Sequence, residues 1–426
     1  MRLRHRWAWG IGLGVVFCGA LFLWLYSHKL WSSTEEQRLD SLLHHPALPK
    51  TAETDTSSRV DSLAPEPAQH PEWLESELLP ALWGRARSVP PPCSRCIAIA
   101  LIGVDSRLTD PTAHADANHV VLIDPSSGRI TIVAIPRDTP ADAGFPDTSR
   151  YNKLANVRAQ RGLKAHLATL AELIGIPEIH YYAEFGFSQA FALLRLLRFG
   201  NPTEVLRVLR ARTGIWGDDY HRVYVQAQFI RQQLLRWFDS YNTPWGLALL
   251  RGTLGIVNTN LTVGVLTRLA DTLRARGFPA DSNAVSIVVY GVPLQRVPVY
   301  DFGDPRTFAA LAEKLRRFYR HHHPGGSDTT SHEQRVHAVL AAALDRAQRA
   351  AASGRPTEVV RLLSPLVRQR AWWQLSQADA RSAYRTAYVE LLSHAYERLG
   401  KPRQAEFLRT EFLQRERELE ELVSTP

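Results

Sequence analysis

Carboxylates and guanidinium groups recur beside apolar runs in this chain. Asp105 and Arg107 follow Ile97–Val104, Arg137 and Asp138 follow Arg129–Ile135, and Asp116 stands just ahead of His119–Asp124. Further on come Arg210 and Arg212, then Asp219, Arg222 and Gln226. Arg222 and Gln226 are four apart, which puts them on one helix face. A carboxylate next to an arginine does not line an apolar pocket; the combination suits Mg2+ together with phosphate oxygens. Surface salt bridges are the competing reading, and for any single pair they are the better one.

The surrounding pattern says which elements would hold these groups. Ile97–Val104 (IAIALIGV) is a continuous apolar run of the kind buried on both faces of a sheet. His119–Asp124 and Arg129–Ile135 are two more strands, joined by the turn Pro125-Ser126-Ser127-Gly128. Helical periodicity follows at Leu163–Ile174, Phe187–Phe199, Pro202–Arg212 and Val223–Ser240, with two further helices around Asn258–Asn260. Ser286–Tyr290 and Gln295–Tyr300 are late strands. Strands interleaved with helices predict an α/β domain over 93–300. In open α/β sheets ligands bind at the carboxyl ends of strands, where Asp105 and Arg137 fall.

Composition bounds the rest. The 426 residues are 45% hydrophobic and 22% charged, which excludes wholesale disorder, and the formal charge of +9 favours anionic partners. Trp7–Tyr26 carries no charge and is long enough, at about 30 Å as a helix, to cross a bilayer. Arg2, Arg4 and Arg6 precede it, so the positive-inside rule leaves 1–6 in the cytoplasm, makes 7–27 a single anchor and puts the remainder outside. A cleaved signal peptide is the rival, but its apolar core is shorter and its cleavage site richer in small residues. Between Trp31 and Pro80, ten acidic residues face three basic ones, which reads as an exposed stalk within 28–92, with short helical patches such as Glu72–Leu79. A linker is expected over 301–334, with few contacts crossing it, so that 335–426 should be dispensable for folding of the α/β unit. There, Ala341–Val367 and Tyr388–Leu413 look like two copies of one helical hairpin, each with a Gly-x-Pro turn. They are tetratricopeptide-like in kind, an ordinary helical bundle being the alternative.

Order and spacing together resemble the LytR–CpsA–Psr (LCP) family. The residues that carry the likeness are Ala100–Arg107 (ALIGVDSR), Asp116 before a strand, Ile135–Thr139 (IPRDT), Arg210-x-Arg212, Asp219-x-x-Arg222-x-x-x-Gln226 and Thr259-Asn260-Leu261-Thr262. The resemblance covers about Ile97 to Pro293 and implies a mixed β-sheet flanked by helices. It also implies a membrane-anchored, extracytoplasmic, Mg2+-dependent phosphotransferase. Such an enzyme moves a glycopolymer phosphate from a polyprenyl-pyrophosphate carrier to a wall acceptor such as peptidoglycan. Carried over residue by residue, Asp105 and Asp116 would hold Mg2+. Arg107, Arg137, Arg210, Arg212 and Arg222 would clamp the pyrophosphate with Gln226 beside them, and His114 and Lys153 would lie on the substrate. Asp138 and Asp219 would orient the arginines or assist proton removal. The sequence departs from the family pattern at His114 and Val225, where arginine is usual, and at Ala117 in place of a hydroxyl residue.

Three functions compete. One is the transferase; another is a scaffold that holds polyprenyl phosphate without turnover, its C-terminal helices recruiting a protein partner. The third, a DNA-binding regulator, conflicts with the anchor, which separates the basic domain from nucleic acid. Cys93-Ser-Arg-Cys96 suits a structural disulfide or free thiols better than redox catalysis, because Cys96 runs into a strand. His321–His323 is expected to be solvated linker.

Overall fold

The computed structural model describes residues 76–79, 81–82, 96–106, 108, 113–215, 218–280, 282–291, 295–322 and 331–424. The expected anchor, most of the expected stalk, Arg107 and Cys93 lie outside the described residues. Among the described residues no helix is long and apolar enough to cross a membrane. The chain divides into Met1–Leu63 and Ala64–Pro426, and all that follows concerns the second unit.

Nine strands are described: β1 Ser76–Leu79, β2 Ala81–Leu82, β3 Ile97–Val104, β4 Ala115–Asp124, β5 Arg129–Ile135, β6 Tyr181–Phe185, β7 Asn258–Thr259, β8 Val285–Tyr290 and β9 Gln295–Pro298. Seven form a mixed sheet in the order β2-β8-β5-β4-β3-β6-β7, while β1 pairs antiparallel with β9. β3, β4 and β5 are antiparallel neighbours, and β6 and β8 flank them in parallel. β3 and β5 begin and end where the apolar runs predict. β4 starts four residues earlier than expected, because Gly103 and Val104 continue the ladder to Ala117 and Ala115 across a bulge. Asp116 therefore sits within a strand and not ahead of one. Part of the expected helical patch at Glu72–Leu79 is strand β1, whose ladder bonds are supplied by β9. At the β4–β5 turn, Gly128 has φ +69°, and a Cβ there would come within 2.5 Å of the Arg276 side chain.

Helices cover both faces of the sheet. One layer is α1, Leu154–Ile174, kinked at Gly162 and buried against Ala98, Ala100, Ile102, Val120 and Leu122. The opposite layer comprises α2 Phe187–Leu196, α3 Pro202–Arg210, α4 Asp219–Phe238, α5 Pro244–Ile256 and α6 Val263–Ala275. It packs on Ile99, Val121, Ile123, Ile130 and Ile132, the alternate residues of the same strands. Such two-sided burial is what makes those strands read as unbroken apolar runs.

Most of the segment expected as a linker is helix α7, Pro305–His322. Its Lys314 ammonium donates to Ile215 O at 2.6 Å, and Arg316 pairs with Glu204 of α3 at 3.1 Å. The C-terminal helices follow: α8 His332–Ala352, α9 Pro356–Arg368, α10 Ala378–Arg398, α11 Pro402–Phe407 and α12 Leu413–Ser424. Gly354 and Gly400 take positive φ at the two predicted hairpin turns, and Pro356 and Pro402 open the next helices.

These helices are tied to the α/β layer, contrary to the expectation of few crossing contacts. Arg370 donates to Ile256 O at 3.1 Å and Gly255 O at 2.7 Å at the end of α5. Arg195 of α2 donates to Trp373 O, and to Leu375 O at 2.8 Å. Gln374 reaches Ser188 of α2 at 2.8 Å. Behind them the buried Glu416 carboxylate accepts from Arg370 Nε, Trp372 Nε1 and Trp373 Nε1 at 2.7, 2.9 and 3.0 Å. The physical reason is the end of α5, whose last carbonyls need donors that this arginine supplies.

Candidate phosphate-binding site

Five of the sequence-predicted residues, Asp116, Arg137, Arg212, Asp219 and Arg222, meet where β4, the end of β5 and α4 converge. Pro136 follows β5, and the turn after it is fixed by the start of α1: Ala155 N donates to Arg137 O at 2.9 Å and Leu154 N to Thr139 O at 2.8 Å. Arg137 leaves this turn to form an ion pair with Asp116 on β4. Asp218 caps α4, accepting from Tyr220 N at 3.0 Å, so Asp219 and Arg222 both fall in the helix's first turn. Arg222 Nη2 lies 2.7 Å from Asp219 Oδ1 and donates to Asp116 O at 3.2 Å. Arg212 approaches the same Asp219 oxygen at 3.6 Å.

The cluster is not internally satisfied. The Nε–H groups of Arg137 and Arg222 are buried without a hydrogen-bond partner, and neither Asp219 oxygen accepts an aligned bond. Arg222 is 4% exposed; burial pulls its pKa below the ordinary arginine value, against the charge of Asp219. Buried donors left unpaired are costly, so a site that retains two of them is shaped for an anionic acceptor.

A second layer surrounds the cluster. Lys153, the residue preceding α1, pairs with Asp138 at 3.0 Å, and Arg137 Nε lies 3.9 Å from Asp138. Burial would raise the Asp138 carboxyl, but Lys153, Arg137 and Arg212 outweigh it and hold the pKa down. Asp105 Oδ1 accepts from His114 N at 2.9 Å and lies 3.5 Å from the His114 ring. Burial opposes ionisation of Asp105 too, yet the His114 bonds and the Arg137 charge lower its pKa. The same bond raises that of His114.

Asp105 and Asp116 follow and open the paired ends of β3 and β4, since Val104 faces Ala115. Among the described residues no three His, Cys, Asp or Glu side chains gather as a metal cage. Mg2+ usually takes one or two carboxylates and completes its shell with water and phosphate. Two hard-oxygen donors on adjacent strand ends, each contacted through Oδ1 among the described residues, fit that use.

Two expected clamp members are elsewhere. Arg210 ends α3 with its guanidinium over the Phe187 ring at 4.7 Å. Ala211 is extended, so Arg210 and Arg212 diverge instead of acting as a pair. Gln226 is a strut: Nε2 donates to Leu209 O at 2.8 Å and Oε1 meets His119 Nε2 at 3.2 Å. Val225 is 2% exposed within the apolar core, where an arginine would have no water.

Sequence reading missed the half-buried Arg158–Glu184 pair, at 2.5 and 2.9 Å, which fixes α1 to β6. The signal was a glutamate inside the apolar strand Tyr181–Phe185. It also missed a cleft of about 300 Å³ beside Arg210, bounded by Phe187, Arg207, Tyr319, His332 and Arg335. No local pattern marks it, because its walls come from α2, α3, α7 and α8.

Solved structures similar to this chain include that of TagV from B. subtilis, with 18% identity over 54% of this chain and 98% of that one and a TM-score of 0.39. TagT bound to LI-WTA shares 15% identity over 55% and 94%, with a TM-score of 0.32. Protein gbs0355 from Streptococcus agalactiae shares 16% over 53% and 88%, with a TM-score of 0.35. No curated protein matches. The model of the LytR_cpsA_psr family matches residues 92–194, which hold β3, β4, β5, Asp105, Asp116 and Arg137. This stretch of the chain is a LytR–CpsA–Psr family domain.

Proposed function

We propose that the chain is a phosphotransferase that moves a glycopolymer phosphate from a polyprenyl-pyrophosphate carrier to a cell-wall acceptor such as peptidoglycan. The observation that carries this reading is the Arg137–Asp116–Arg222–Asp219 cluster, in which two buried guanidinium Nε–H groups are unpaired. The match of residues 92–194 to the LytR–CpsA–Psr family supports this substrate class. Charge on the transferred phosphoryl group must be neutralised without reorganisation, and preset guanidinium forks do that.

In this mechanism Arg137 and Arg222 bind the pyrophosphate oxygens, and Arg212 with Lys153 adds positive charge at the rim. Asp219 and Asp138 hold those cations in place. Asp105 and Asp116 would bind Mg2+, which supplies charge neutralisation at the leaving phosphate. Lys153 and the arginines keep Asp138 ionised, so it can accept the acceptor hydroxyl's proton, as a weak base. The site is placed outside the membrane on the strength of Arg2, Arg4 and Arg6 before the uncharged Trp7–Tyr26 run.

A binding scaffold for polyprenyl phosphate is the second reading, favoured by Val225 and by Arg210 being turned to Phe187, both of which thin the clamp. The test is turnover: purified full-length chain, a polyprenyl-pyrophosphate glycan, Mg2+ and peptidoglycan, followed by transfer of labelled glycan. Transfer supports the enzyme. Tight binding with no transfer or lipid-phosphate release supports the scaffold.

A further inference from the structure

The cleft beside Arg210 combines features that the phosphate cluster does not use. α2 and α3 give it Phe187, Arg207 and Arg210; α7 and α8 give it Tyr319, His332 and Arg335. The floor is aromatic. His332 stacks on Phe191 at 5.6 Å with the rings 3° apart, edge-on to Phe187 at 5.7 Å, and its buried Nε2 has no hydrogen-bond partner. Tyr319 offers a ring 44% exposed. Three guanidinium groups thus ring an aromatic surface in about 300 Å³. Such a space takes a compact ligand with an apolar face and an anionic edge. A pyranose carrying a phosphate has both.

Its position matters as much as its chemistry. Arg210 lines the cleft while Arg212, two residues on along an extended segment, pairs with Asp219 in the cluster. Their Cα atoms are therefore no more than about 7 Å apart. We infer that the cleft is a sugar-phosphate subsite, occupied by the glycan unit next to the one at the phosphate cluster. This rests on the glycopolymer reading above. α3, α7 and α8 lie beyond the matched residues 92–194, so of the residues lining the subsite only Phe187 and Phe191 come from the matched stretch.

The experiment is calorimetric binding of N-acetylglucosamine 1-phosphate to the full chain, with inorganic phosphate and free N-acetylglucosamine compared alongside. Wild type should prefer the sugar phosphate to either fragment. Arg335→Ala and Tyr319→Ala, both at the open rim, should each weaken it about tenfold, and polyprenyl-pyrophosphate binding at the cluster should change less than about twofold. Unchanged sugar-phosphate affinity in both variants overturns the subsite. Inorganic phosphate binding as tightly, with Tyr319→Ala silent, also overturns it, leaving a bare anion patch. Should Arg335→Ala lose the sugar phosphate while wild type neither binds nor turns over the lipid pyrophosphate, the subsite stands and the phosphotransfer reading falls.

Discussion

Arg137 and Arg222 touch the same aspartate by different routes and should respond differently to removal. Arg222 is 4% exposed and both Asp219 oxygens are buried, so Arg222→Ala leaves a desolvated carboxylate and should cost about 3–5 kcal/mol in urea unfolding. Arg137 pairs with Asp116 at a site 21% exposed on both sides, and its loss should cost about 1 kcal/mol or less. Equal losses would mean that the two arginines share one environment, against the geometry. His114 offers a pH test. Its bond to Asp105 raises its pKa, so it is charged below that value and loses its charge as pH rises through it. Pyrophosphate binding should weaken across that alkaline limb in wild type and stay flat in His114→Arg. Parallel profiles would remove His114 from the substrate's surroundings. At this scale the sequence showed the acidic and basic partners, because motif spacing fixes them. It did not show that Arg210 points away, since that depends on where α3 ends and Ala211 turns extended.

β3 and β5 were legible to the residue because burial on both faces leaves unbroken apolar runs, and the Ser-Ser-Gly turn marks where β5 begins after β4. The start of β4 was not, because Asp116 and Asn118 are polar residues held in the ladder by tertiary partners: Arg137 takes Asp116, and the buried His166 takes Asn118 at 2.8 Å. The C-terminal docking was illegible for a similar reason. Trp372 and Trp373 lie more than forty residues from Glu416 in sequence, and all three read as ordinary helix-region residues until Arg370 joins them at the end of α5. Glu416 accepts three donors while 1% exposed. Glu416→Ala should therefore destabilise by about 3–5 kcal/mol, read as a lower urea midpoint. A shift within about 0.5 kcal/mol would show that the docking element is not held by this carboxylate.

At the scale of the whole molecule, buried imidazoles and the α2–α5 docking surface set the limits of stability. Burial holds His119 and His166 at about 4 and His221 at about 3, well below their ordinary value of 6.5. Each is neutral in the folded chain and takes a proton on unfolding, so stability is full above about pH 6.5 and falls as pH drops toward 4. The slope is up to about 1.4 kcal/mol per pH unit per imidazole. A melting temperature constant between pH 7 and 4.5 would contradict their burial. A chain ending near residue 323 strips Trp373 and Gln374 from α2 and Arg370 from α5, and should lose its cooperative transition or aggregate. The most direct test of the central claim is Mg2+-dependent release of polyprenyl phosphate from a lipid-pyrophosphate glycan by the full-length chain, wild type against Arg137→Ala. The account predicts turnover in wild type, and at least about a tenfold loss in the variant with its melting temperature nearly unchanged. Equal turnover in the two proteins would contradict it.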